Sequence, residues 1–339
     1  MPEDRKQGIL LKHVLCATDL SSCSVPALAR AIKLADAYGA RLDVLHVLEA
    51  AADATALLKP RRDDLLVHMR QMVEGLLDRQ LSVNTSVAQG VPSSEILLYS
   101  RKHTSDLIVA GSCSSWRPRS FVLLGHTTRT LIAGAPCPVL VVPEAKVTTS
   151  GDAPTTVRHI VCAISSVATR TTLKHAVSLA LKFGARLTFL HVLRRPHDNR
   201  SEAESALREL RGAIPEIVGS YNIHELVMYG GVAETVAGEI IDITRALRAD
   251  LLVLGFRRDF FSEDTREAIV SSVVRDPACD VLVVPIAATA ERFKSIAASS
   301  SGASRDEVAD RDVVDQASYE SFPASDPPPW TFGVHSDAR

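Results

Sequence analysis

The sequence predicts an α/β protein built from two tandem copies of one open, doubly wound parallel-sheet unit. Three observations carry that reading. Five sequence blocks recur in the same order at a nearly constant offset. Within each copy, short unbroken apolar runs alternate with stretches of helical periodicity. After residue 287 the composition turns to Ala, Ser, Asp and Pro, which cannot build a core.

The repeats are direct. "KHVLCATDL" (12–20) returns as "RHIVCAISS" (158–166), and "YGARLDVLHVLEA" (38–50) as "FGARLTFLHVLRR" (183–195). "AQGVPSSEIL" (88–97) has a looser echo in "YGGVAETVAGEI" (229–240). "SDLIVAG" (105–111) returns as "ADLLVLG" (249–255), and "APCPVLVVP" (135–143) as "PACDVLVVP" (277–285). The offset drifts only from 146 to 142 residues. That period is too long for a solenoid unit, so each copy is a domain. The expected boundaries are 8–145 and 155–287, followed by a disordered tail at 288–339. The polar segment "EAKVTTSGDAPTT" (144–156) reads as a linker.

Each element of the first copy follows from its pattern. "HVLCAT" is a short buried-strand run. "VPALARAIKLADAYG" carries apolar residues at helical spacing and stops at Gly39, a residue suited to the left-handed position after a helix. "RLDVLHVL" is strand two. Over 61–80, Leu65, Leu66, Met69, Met72, Val73, Leu76 and Leu77 share one helical face. "LSVNTSVA" is strand three. "PSSEILLYSRKH" opens with proline in a first helical turn. "DLIVAG" is strand four, 122–134 a fourth helix and "CPVLVVP" strand five. Continuous apolar strands separated by helices imply a parallel sheet covered on both faces.

Bulk properties narrow the function classes. Hydrophobic residues make up 46% and charged residues 23% of 339, a globular composition. A formal net charge of −2 gives no global attraction to nucleic acid or anionic membrane. No apolar run approaches the roughly 20 residues needed to cross a bilayer. The N-terminus has no signal-peptide core. The expected localisation is the cytoplasm, with Cys16, Cys137, Cys162 and Cys279 as buried reduced thiols.

The ordered set "CATDLSSCSVPAL … GARLDVLHV … GVPSSEI … DLIVAGS … LLGHTT … APCPVLVVP" resembles the universal stress protein family, in its tandem type. The resemblance covers nearly all of 9–143 and, more loosely, 157–285. It implies an adenine nucleotide alpha-hydrolase-like sheet of strand order 3-2-1-4-5. Some members bind ATP, and members pair through the fifth strand. Here that pairing is expected within the chain, between the two copies.

In this strand order the carboxyl ends of strands one and four flank a crevice where ligands sit. Ala17, Thr18 and Asp19 end strand one, and Ala110 and Gly111 end strand four. The resemblance adds Val47 on strand two. Nucleotide-binding members carry G-x2-G-x9-G-[ST] after strand four. Glycines let backbone N–H groups approach phosphate, and a helix start favours the anion. This chain reads Gly111-x2-Ser114-x10-Gly125-His126, with Thr127 offering a hydroxyl one position late. Arg117 and Arg119 are candidate phosphate partners, and Trp116 could stack on a base. The same loop also reads as a solvated one. Asp19 has two readings, a ligand group or a cap for the helix starting near Ser21–Ser24.

The second copy has lost the pattern. Arg258, Glu267 and Ala268 replace the second glycine, the third glycine and the hydroxyl, and Ser165 replaces Asp19. Glu263, Asp264 and Glu267 put negative charge where phosphate would lie. No nucleotide is expected there. No P-loop, HExxH or GxSxG motif appears. His46 and His191 recur at one place in strand two and read as core histidines with satisfied hydrogen bonds.

The resulting expectation is a non-catalytic regulatory protein with at most one degenerate ATP site, Mg²⁺ arriving only with ATP, and an unidentified protein partner. A homodimer is open. Two alternatives stand: a true ATP-binding member with slow hydrolysis, and a nucleotide-free dimerisation module.

Overall fold

The computed structural model describes residues 9–49, 58–77, 81–112, 125–144, 157–164, 170–193, 223–229, 235–257 and 266–286. The linker, the loop segment 113–124 and the C-terminal stretch 288–339 lie outside the described residues.

In the first half the strands are β1 (His13–Thr18), β2 (Arg41–Leu48), β3 (Val83–Gln89), β4 (Leu107–Gly111) and β5 (Val139–Val142). Between them run α1 (Val25–Tyr38), α2 (Leu58–Glu74), α3 (Pro92–Lys102) and α4 (His126–Gly134). The second half contributes β6 (His159–Ala163), α5 (Arg170–Phe183), β7 (Arg186–Leu193), β8 (Ile223–Tyr229), α6 (Val236–Ala246), β9 (Leu251–Arg257), α7 (Arg266–Arg275) and β10 (Asp280–Ile286).

Each half has the order 3-2-1-4-5, and the halves join into one ten-stranded sheet, β3-β2-β1-β4-β5-β10-β9-β6-β7-β8. Pairing is parallel within each half and antiparallel at the junction, where Val139, Leu140 and Val141 of β5 face Val283, Leu282 and Val281 of β10. Side chains alternate across the sheet, as a period of two requires. Val14 and Cys16 point into the layer with α1, α2 and α5, while Leu15 points into the layer with α3, α4, α6 and α7.

Gly39 adopts φ 63°, and its N–H bonds back to Ala35 and Asp36 carbonyls, ending α1 by the left-handed geometry glycine allows. The helix expected over 61–80 instead runs Leu58–Glu74. Pro60 lies in its first turn, where no N–H is needed, so the helix begins earlier. Leu76 and Leu77 still pack on the core from the turn beyond Glu74.

At the amino ends of the strands lies a buried polar cluster. Asp43, fully buried, contacts His13 Nε2 at 2.7 Å and accepts from Tyr99 OH at 3.0 Å and Arg41 Nε at 3.0 Å. His13 Nδ1 reaches the His103 carbonyl at 2.7 Å. In the second half His159 is placed alike, but its Nε2 meets Thr188 Oγ1 at 2.9 Å. Among the described residues no helix is long and apolar enough to cross a membrane.

Candidate functional site

At the carboxyl ends of the strands, β1 pairs with β4 in the register Val14–Leu107, Leu15–Ile108 and Cys16–Val109. Continuing that register brings Ala17 beside Ala110 and Thr18 beside Gly111. The chain leaves β1 toward α1 on one face and leaves β4 toward α4 on the other. The crevice is therefore the switch point where ligands enter such sheets.

The turn after β1 is held by hydroxyls. Thr18 Oγ1 accepts from the Leu20 N–H at 3.0 Å and bonds Ser24 Oγ at 2.8 Å. Ser24 Oγ in turn donates to the Ser21 carbonyl at 2.9 Å. Leu20 takes φ 62°, a left-handed conformation that this local network stabilises. Asp19 is exposed, and its Oδ1 accepts from the Ser21 N–H at 3.0 Å and Ser21 Oγ at 2.6 Å. It thus braces Ser21, the cap position of the short 3₁₀ turn Ser22–Ser24, from two residues earlier. His46 Nδ1 meets the Thr18 carbonyl at 2.9 Å, fixing the strand tip from β2. Val47, the next residue, packs with Ala17 and Ala88 on the opposite face. Burial pushes the Cys16 thiol up to about 12, so it is a packing group rather than a nucleophile.

Across the crevice α4 begins at His126, with Gly125 in the cap position. Gly125 has φ −55°, and a methyl there would meet only Thr128 Oγ1 at 3.9 Å, so neither its backbone nor crowding demands glycine. The Arg129 N–H bonds the Gly125 carbonyl at 3.0 Å. By helix geometry, the N–H groups of His126, Thr127 and Thr128 precede that first bond and have no acceptor within the helix. Thr128 is buried, and its hydroxyl donates to the Gly111 carbonyl at 3.1 Å. That bond ties the start of α4 to the tip of β4. The sequence reading took Thr127 as the hydroxyl of interest and passed over Thr128. The useful signal was its third position in the helix, which points back toward the preceding strand. His126 is exposed, its ring Nδ1 3.4 Å from Thr130 Oγ1. Ser114, Trp116, Arg117 and Arg119 lie outside the described residues.

The aligned place in the second half is filled. Ile164 stands where Thr18 does and is buried. Its carbonyl meets His191 Nδ1 at 2.9 Å, as Thr18 meets His46. Gly255, aligned with Gly111, is crowded: a methyl there would come within 2.7 Å of both Ile286 Cδ1 and Thr172 Oγ1. Ile286 and Thr172 are buried. The first half carries Glu144 and Ala27 at those two positions. Ser165, Arg258, Glu263 and Asp264 lie outside the described residues.

Fold and crevice together define a doubly wound α/β protein with its unit duplicated in one chain. The profile of the universal stress protein family matches residues 11–143 and again 156–285. The chain belongs to the universal stress protein family, with two such domains in tandem. A universal stress protein of Methanocaldococcus jannaschii is 28% identical over 148 residues, 40% of this chain and 85% of that protein. One from Thermus aquaticus is 31% identical over 139 residues, 39% of this chain and 99% of that protein. The crystal structure of a universal stress protein from Archaeoglobus fulgidus shares the fold at a TM-score of 0.60 and 19% identity, over 80% of this chain and 96% of the other.

Proposed function

We propose that this protein is a non-catalytic regulator whose first half binds one adenine nucleotide, ATP with its Mg²⁺, while its second half binds none. The observation that carries this reading is the contrast between the two crevices. The first is edged by Thr18, Asp19, Gly111 and the open N–H groups starting α4. The second is occupied by the side chains of Thr172 and Ile286 around Gly255.

The donor set suits a nucleotide. Phosphate would meet the N–H groups of His126, Thr127 and Thr128, where the helix dipole favours negative charge. Asp19, exposed and held by Ser21, would take ribose hydroxyls or the adenine edge. Ala17, Val47 and Ala110 would supply a flat apolar floor. Magnesium would supply charge neutralisation on the phosphates. In this reading nucleotide occupancy changes which surface the cytoplasmic protein shows to a regulatory partner.

Thermal unfolding with ATP·Mg²⁺ tests the proposal. Ligand at 100 times Kd should add about 2.7 kcal/mol of stability. Gly111→Val should abolish the shift by placing a branched side chain where phosphate or ribose approaches. No shift at millimolar ATP would refute nucleotide binding, and steady release of phosphate by the pure protein would refute the non-catalytic part.

A further inference from the structure

The seam between β5 and β10 joins two copies of one sequence, so plain duplication would make it symmetric. One buried pair breaks the symmetry. Arg30 on α1 contacts Asp280 at the start of β10, with side chains only 13% and 10% exposed. The aligned positions across the pseudo-twofold axis are His175 on α5 and Pro138 just before β5, and all four residues line the same apolar seam cavity.

We propose that Arg30 and Asp280 form a partner code that makes this seam accept an unlike half and reject a like one. The alternative pairings show why. Two first halves joined this way would each bury Arg30 against Pro138, leaving two guanidinium groups without a carboxylate across the seam. Asp106 of the same half lines the cavity too, but its Oδ2 already accepts from the Lys12 and His13 N–H groups at 2.8 and 2.9 Å. Two second halves would bury Asp280 against His175 twice. There the Nδ1 of each His175 already donates to the Thr171 carbonyl at 2.8 Å, so the neutral ring offers Asp280 only the lone pair of Nε2. A buried charge deprived of its partner is strongly destabilising, and rejection of wrong partners commonly works through such charges.

One further polar contact crosses the seam: the Ile9 N–H donates to Ser178 Oγ at 2.7 Å, where the first half carries Lys33 at the aligned position. The remaining contacts discriminate little. Tyr38 and Phe183 occupy aligned positions and meet edge to face at 6.3 Å, so a like pairing would again set ring against ring. Lys182 lies 5.0 Å over the Tyr38 ring but is exposed, where such a contact is weak. The β5–β10 ladder joins backbone atoms and apolar side chains of near-identical sequence. Among the buried charged groups, selectivity therefore falls on Arg30 and Asp280, and the neutral Ile9–Ser178 bond adds a smaller share.

Native mass spectrometry tests this on the full chain carrying a protease site at 145–156, folded first, then cleaved and incubated. The wild type is expected to stay as complexes of one first half with one second half. Arg30→Met with Asp280→Leu leaves no buried charge unpaired, so the fold is retained. That variant is expected to drift toward random re-pairing, with only half of the complexes unlike. Arg30→Asp with Asp280→Arg restores a charge pair and is expected to restore unlike pairing. Random pairing in the wild type, its dissociation into free halves, or a Met/Leu variant that stays wholly unlike would each overturn the proposal.

Discussion

The Thr128 hydroxyl donates to the Gly111 carbonyl at 3.1 Å, linking the first turn of α4 to the tip of β4 across the crevice. The two edges of the crevice are thus tied by one part-buried bond. Thr128→Val removes the donor at constant volume and should cost about 1 kcal/mol of stability. It should also weaken ATP binding, because the N–H groups starting α4 lose their anchor. Thr128→Ser keeps the hydroxyl and should keep most of both properties. Urea denaturation and ATP titration of the two variants check this.

The Asp43 cluster predicts acid sensitivity. Burial pushes the Asp43 carboxyl up, but hydrogen bonds from His13 and Tyr99, with the charges of His13 and Arg41, outweigh it and hold the group below its ordinary range. A depressed folded value contributes stability above the unfolded pKa, near 3.9. That share is lost as pH falls through the lower folded value. Asp43→Asn should flatten the acid limb of a stability–pH curve measured by urea midpoints. Asp43→Thr installs the residue type that Thr188 provides to His159, and should be milder than Asp43→Ala.

Asp280 should act in the opposite direction. Burial raises its carboxyl to about 6, while Arg30 pulls it back and Asp250 adds to the rise. A raised folded value gives a contribution fully present below about 3.9 and lost as pH rises through about 6. Asp280→Asn should remove that slope between pH 4 and 7. A mutant curve parallel to the wild type over that window would contradict the assignment.

The core thiols should be silent. Burial pushes both Cys16 and Cys162 up to about 12, and both are fully enclosed at aligned positions of β1 and β6. Alkylation at pH 8, followed residue by residue by mass spectrometry, should proceed ~10³-fold or more slower at these sites than in the unfolded chain, tracking global opening. Rapid labelling of either in native buffer would contradict their placement.

The strands were legible because each is an unbroken apolar run bounded by a turn signal, and the duplication showed the same succession of elements twice; their order across the sheet followed only from the family resemblance. Contacts that depend on side-chain direction were not. Periodicity places His46 in strand two but does not say that its Nδ1 reaches the Thr18 carbonyl. The motif spacing drew attention to Thr127, yet helix phase turns Thr128 toward β4. In the second half, lost glycines and added acids predicted a poor phosphate site. The filling of the crevice by Thr172 and Ile286 is a packing fact that no motif records. The periodic stretch 61–80 did not show that α2 begins at Leu58, with Pro60 tolerated in its first turn.

Calorimetric titration of the full chain with ATP·Mg²⁺ tests the central asymmetry most directly. One nucleotide per chain, with binding lost in Gly111→Val, is the expected result. Two nucleotides per chain, or one that survives Gly111→Val unchanged, would contradict it.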